Sequence, residues 1–154
     1  MKFTVVLNIV LLSCCLVGCQ SNNTFEGEIL AEIKLCSDEE ICTVNMSQIM
    51  DFEWDKMYVF KYNATYDDVK NAIGTEPFKF TEFTRKVVFS LNGKVVYFRE
   101  LPTDISGVLE NQIIFDINDA ESYKFYPLEK AVFKVSKEKI KEGEYFYELT
   151  PITN

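Results

Sequence analysis

No histidine occurs anywhere in the 154-residue chain, and this removes much familiar chemistry. Ser–His and Cys–His nucleophile systems need an imidazole base, and histidine is the commonest metal ligand. The chain also lacks G-x-S-x-G, H-E-x-x-H and a glycine-rich phosphate loop. Carboxylates are what is left. Asp51, Glu53 and Asp55 surround Trp54, the single tryptophan, in DFEWD. Acids beside an aromatic platform are the ingredients of a glycan site, where two carboxyls about 5 to 10 Å apart act as acid and base. The same stretch equally suits a core-anchoring tryptophan with solvated neighbours. Asp116, Asn118, Asp119 and Glu121 supply half a calcium loop, without its turn glycine or the spacing to a closing glutamate. We therefore expect no catalytic residues, no metal and no cofactor.

A binding role needs different residues. The chain has 13 Phe and 8 Tyr; most must fill a core, but an exposed group would suit an interface, where tyrosine and tryptophan are enriched. Trp54, Asp55, Tyr123 and Tyr126 are the candidate binding surface, the last two within Tyr123-Lys124-Phe125-Tyr126. The formal charge of −8 argues against nucleic acid as a partner, because nothing neutralises phosphates. It also gives no attraction to anionic lipid. Surplus carboxylates could steer a basic partner, or simply keep a surface protein soluble.

The remaining reactive side chains are five cysteines, of which Cys14, Cys15 and Cys19 crowd the end of an apolar run. MKFTVVLNIVLLSCCLVG has one positive charge, an apolar stretch and small residues at its end. That is the layout of a secretory signal, and it is short for a membrane span of about 20 apolar residues. Leu16-Val17-Gly18-Cys19 resembles the bacterial lipoprotein signal: a large aliphatic residue at −3, a small one at −1, then the acylated cysteine. Leu11-Leu12-Ser13-Cys14 also fits, but cleavage there would leave an apolar stub. The resemblance implies export, cleavage before Cys19, acylation of its thiol (with palmitate among the chains) and residence on a membrane surface. Several chains on one cysteine anchor firmly, since each buried methylene contributes about 0.8 kcal/mol. Gln20 resembles the outer-membrane sorting pattern, so a host with an outer membrane would display the domain on its periplasmic side. Residues 1–18 are the expected signal, 19–24 a lipidated polar tether, and 25–154 a single domain.

Export would leave Cys36 and Cys42 as an even pair in an oxidising compartment, which favours a disulfide. C-x5-C matches neither common zinc spacing nor the C-x-x-C redox motif; free thiols are the other reading.

The elements that must position these residues follow from periodicity. Thr24 or Asn23 can cap a helix with Phe25, Ile29, Leu30 and Ile33 at helical spacing. Met57 to Phe60 reads as a buried strand. Thr65 caps a second helix with Asp67 and Asp68 in its first turn, Tyr66, Val69 and Ile73 on one face, and Gly74 to end it. In VVFSLNGKVVYF, Asn92-Gly93 is the preferred type I′ pair. That turn pairs Leu91 with Lys94 and predicts Val87, Phe89, Leu91, Val96 and Phe98 on the core face. Further strands are expected over 112–117, 131–136 and 145–150, with KEKIKEGE as a charged loop. The predicted fold is α+β: a single mostly antiparallel sheet with two helices packed on one face. Three N-x-S/T sequons, at Asn22, Asn45 and Asn63, read as coincidental in an exported bacterial protein.

Trp54-Asp55-Lys56-Met57-Tyr58-Val59-Phe60, then the Asp67-Asp68-Val69 helix and the 87–98 hairpin, resemble a group of small bacterial lipoproteins over residues 43–101. The resemblance implies an envelope-anchored domain and carries no activity with it. The expected function is a non-enzymatic binding or inhibitory module in the cell envelope, anchored to the membrane through Cys19 and acting on a basic envelope protein. The alternatives are a carboxylate enzyme acting on envelope glycans and a purely structural lipoprotein.

Overall fold

The structure is a computed structural model that describes residues 24–36, 41–74, 79–101, 111–117 and 122–152. Cys19, the expected signal and nearly all of the expected tether lie outside the described residues, as do Asn118, Asp119 and Glu121.

Helix α1 (Phe25–Leu35) starts where Thr24 turns back to accept the Gly27 N–H at 3.1 Å, with Glu26 and Glu28 favoured by the positive end of the helix. Cys36 ends it and is bridged to Cys42, the Cα atoms 5.4 Å apart. Closing so short a loop contributes roughly 2 kcal/mol through the unfolded state. The bridge delivers the chain into β1 (Thr43–Asn45) and a single helical turn, α2 (Met46–Ile49). Asn45, one of the sequon residues, caps that turn by accepting from the N–H and the hydroxyl of Ser47. Next come β2 (Lys56–Phe60), α3 (Tyr66–Ile73), β3 (Arg85–Leu91) and β4 (Lys94–Leu101). The chain finishes with β5 (Ile113–Phe115), β6 (Tyr123–Pro127), a 3₁₀ turn (Leu128–Lys130), β7 (Val132–Lys141) and β8 (Glu144–Pro151).

The strands make two four-stranded sheets, ordered β1-β7-β8-β5 (sheet A) and β4-β3-β2-β6 (sheet B). Every pairing is antiparallel except β5 with β8. This corrects the expected single sheet with two helices on one face: the domain is mostly β, with two sheets and three α-helices among the described residues. The physical reason lies in β2 and β3. Met57 and Val59, with Val87 and Phe89, join a cluster that includes Val44, Ile113, Phe115, Phe133 and Leu149 of sheet A. Tyr58, Phe60 and Val88 point the other way and pack with Val69 and Ile73 of α3. Strands apolar on both faces need a cover on each side. A helix covers one side and a whole second sheet covers the other.

Two local readings also change. The Asn92-Gly93 turn forms with both residues at positive φ, 51° and 74°, and Leu91 does pair with Lys94. Beyond it, Ser90 pairs with Val95 but Phe89 pairs with Tyr97, so the chain bulges at Val96. One inserted residue reverses the alternation downstream. Tyr97 therefore reaches the inner face beside Phe89, Phe98 joins the α3 side, and Val96 is left exposed. Nor is KEKIKEGE a loop: β7 and β8 run through it to a turn at Glu142-Gly143. Lys137 sits 4.3 Å from the Tyr145 ring centroid and Lys141 pairs with Glu144 at 2.6 Å, so opposite charges and aromatic faces line up across the ribbon.

The α3 cap is reciprocal. The Thr65 hydroxyl oxygen accepts from the Asp68 N–H at 3.2 Å, and the Asp68 carboxylate accepts the Thr65 N–H at 2.8 Å. The Thr65 N–H is the largest cause holding the Asp68 carboxyl below its ordinary value of 3.8; the Thr65 and Ser122 hydroxyls act in the same sense. A carboxyl depressed in the folded state stabilises above its unfolded pKa, and that stability is lost as pH falls through the folded value. Asp68→Asn is thus expected to lower stability near pH 7 and to flatten its dependence below pH 4. Urea denaturation of the full chain across pH 2 to 7 checks this; parallel curves for the two proteins would contradict it.

Candidate binding groove

Asp55 is where the sequence placed a binding surface and a catalytic acid, and its carboxylate is already engaged. One oxygen accepts the Asn92 N–H at 2.7 Å, the other the Ser90 hydroxyl at 3.2 Å. Its main chain is also bound: the Asp55 N–H donates to Ser90 O at 2.8 Å, and its carbonyl accepts from the Leu128 N–H at 3.0 Å. Asp55 thus ties the β3–β4 turn to the exit of β6. Asp51, Glu53 and Asp116 are exposed, whereas Asp55 faces the turn. Among the described residues no three His, Cys, Asp or Glu side chains gather as a metal site.

The other surface candidates do not gather on one exposed face. Trp54 is only 5% exposed, its ring 4.9 Å from that of Phe89 in an edge-to-face contact. Tyr126 is buried against Phe133 of β7, centroids 5.0 Å apart. Tyr123 lies on the opposite face of the same strand, over Phe60 at 5.5 Å. The residue between them emerges instead: Phe125 is 51% exposed, its ring tilted against that of Tyr58 with centroids 6.0 Å apart.

Phe125 marks the rim of a groove of about 560 Å³, floored and walled mainly by apolar groups. Lys124, Tyr126 and Pro127 of β6 line it together with Val132 and Pro151 of sheet A, Ile152 just past β8, and Glu129 and Lys130. Such a volume falls within the range of ligand sites. It exists because the Tyr126–Phe133 contact holds the β6 margin of sheet B against β7 while, among the described residues, β6 has no further strand beside it.

The open side of β6 has a definite hydrogen-bonding pattern. Antiparallel partners alternate between residues that exchange hydrogen bonds and residues that do not. Lys61 N–H donates to Ser122 O at 3.0 Å and Leu128 N–H to Asp55 O at 3.0 Å. With the β2–β6 register constant between them, Lys124 and Tyr126 bond inward to β2. Tyr123, Phe125 and Pro127 therefore present their main-chain groups to the open edge, where Pro127 offers a carbonyl and no N–H.

Sequence reasoning missed this groove because it treated 123–126 as a cluster of aromatics, not a strand. The available signal was the alternation of Tyr123 and Phe125 with Lys124 and Tyr126, ended by a proline, which is tolerated on edge strands. No family model, curated protein or solved structure matches the chain.

Because Asp55 holds the hairpin, Asp55→Ala should cost about 1.5 to 3 kcal/mol, the range for hydrogen bonds to a charged group. Asp55→Asn should cost less, since its carboxamide oxygen still accepts from Asn92. Urea denaturation of the full-length variants measures both; an Asp55→Ala protein as stable as the parent would show that the carboxylate does not hold the turn.

Proposed function

We propose that the chain is a bacterial lipoprotein, anchored to a membrane through acylated Cys19, whose domain is a non-enzymatic binding module. The observation that carries the binding reading is the open apolar groove along β6, with the Phe125 ring half exposed on the other face of the same strand. A mainly apolar groove of this volume with a few polar groups has the form of a binding site, and the Phe125 ring adds apolar surface beside it. The chemistry of the domain points the same way: the chain contains no histidine, Asp55 serves the hairpin, and Trp54 serves the core. The anchoring part rests on Leu16-Val17-Gly18-Cys19 at the end of the apolar run and on the polar residues that follow it. Among the described residues no helix is long and apolar enough to cross a membrane, and acylation at Cys19 would supply the attachment.

One experiment tests both parts. The full chain carries a photo-reactive phenylalanine at position 125, or at Ile140 near the far tip of the β7–β8 ribbon as a control, and is expressed in bacteria fed a tagged fatty acid. We expect the protein to take up the label and sediment with membranes, and Cys19→Ser to abolish both. Irradiation should give a discrete adduct from position 125 and none from 140. Labelling that survives Cys19→Ser contradicts the anchor; no adduct from position 125 contradicts the binding module.

A further inference from the structure

We propose that the groove takes an extended acidic-apolar polypeptide segment, which adds to sheet B as a fifth strand beside β6. This deepens the binding-module reading and rests on it. Three observations carry it.

The first is hydrogen-bond complementarity. Tyr123 and Phe125 offer both N–H and C=O on the open edge, and Pro127 offers a carbonyl, a row that an extended main chain matches. The second is shape. The groove lies along that same edge, with Val132 and Pro151 of sheet A and the following Ile152 as its far wall. A strand added to β6 would direct alternate side chains into this apolar trough and the others towards Phe125, which projects from the opposite face. The sheet edge thus supplies affinity through the main chain and the groove supplies selection among side chains.

The third is charge. The chain as a whole is strongly acidic, with a formal charge of −8, yet the groove carries Lys124 and Lys130 against the single acid Glu129. Among the described residues neither lysine makes an ion pair. The local balance of two cations against one carboxylate, on a chain that is acidic as a whole, favours a segment bearing carboxylates. The overall charge would favour a basic partner, but at this site the local charges are closer and decide.

The same features disfavour a second copy of this chain as occupant. A two-fold pairing of β6 with itself about Lys124 sets Lys124 directly opposite Lys124, where like charges repel. Centred on Phe125 or Tyr126 instead, it calls on Pro127 for an N–H that proline lacks. A different strand, with acids in place of Lys124, avoids the like-charge contact and can end short of Pro127.

The test uses the full chain in detergent and a fluorescent, end-blocked peptide that alternates valine with glutamate. Two companions accompany it: one with lysine in place of glutamate, and one with alternate main-chain amides N-methylated. Fluorescence anisotropy should show the acidic peptide binding, with the lysine and N-methylated peptides each at least tenfold weaker. The Lys124→Glu/Lys130→Glu double variant should reverse the preference between acidic and basic peptides without unfolding, because both lysines reach solvent. Equal binding of the N-methylated peptide overturns strand addition, and equal binding of the lysine peptide overturns the acidic partner. Self-association that excludes every peptide overturns the proposal in favour of a second copy. If no peptide binds while the photo-adduct at position 125 still forms, strand addition fails and the binding module stands. If the adduct is absent too, both fall.

Discussion

Everything in this domain depends on burying both faces of β2 and β3. Met57 to Phe60 and Lys86 to Ser90 are almost wholly withdrawn from solvent, and side chains that alternate across a strand cannot all be buried without a layer on each side. Sheet A is one layer and α3 the other. At the centre Phe89 touches the rings of Phe25, Phe52, Trp54 and Tyr97 within 6.0 Å. It thereby locks α1, the 52–54 segment and β4 onto one point. Aromatic contacts of this kind contribute about 0.5 to 1.5 kcal/mol each beyond area burial.

The same demand places a charge where charge is costly. Lys86 faces the α3 side with no solvent exposure, and burial pushes its ammonium pKa down, partly offset by Glu100 and Glu82. It is tolerated because the ammonium donates to the Thr84 carbonyl at 2.6 Å and lies 4.5 Å from the Phe80 centroid. β6 shows the converse arrangement. Its inner face is fixed by Tyr126 on Phe133, while among the described residues its outer edge has no strand beside it. A sheet held rigidly from behind and open at one margin is a surface on which an extended chain can be received without rearrangement.

Much of the local structure was legible from residue types. Thr24 and Thr65 stand at helix starts, Gly74 ends α3, and Asn92-Gly93 turns the hairpin, because capping and positive φ are decided by one or two adjacent residues. What was not legible is decided by distant partners. The bulge at Val96 cannot be seen in an alternating VVYF run, and it interchanges Tyr97 and Phe98. The charged ribbon 137–144 carries the ordinary composition of a loop; its strand character comes from cross-strand pairing of Lys137 with Tyr147 and Glu138 with Phe146. The count of sheets was hidden for the same reason. Short apolar runs declare that a strand is buried and do not say which strand lies across from it. Around the groove, Tyr126 was singled out as a surface residue and forms part of the lining, while Phe125, beside it, is the aromatic that the surface exposes.

The claim on which the functional account rests is that the outer edge of β6 is unpaired. Amide hydrogen exchange of the full chain, resolved residue by residue by NMR, reads this directly. Inward-bonded Lys124 and Tyr126 should exchange slowly, and outward-facing Tyr123 and Phe125 between them should exchange at least a hundredfold faster. That alternation along one short strand would show a free edge held on a rigid sheet. Uniformly slow exchange over 123–126 would mean that another segment already pairs with β6, and the groove would have no edge to offer a partner.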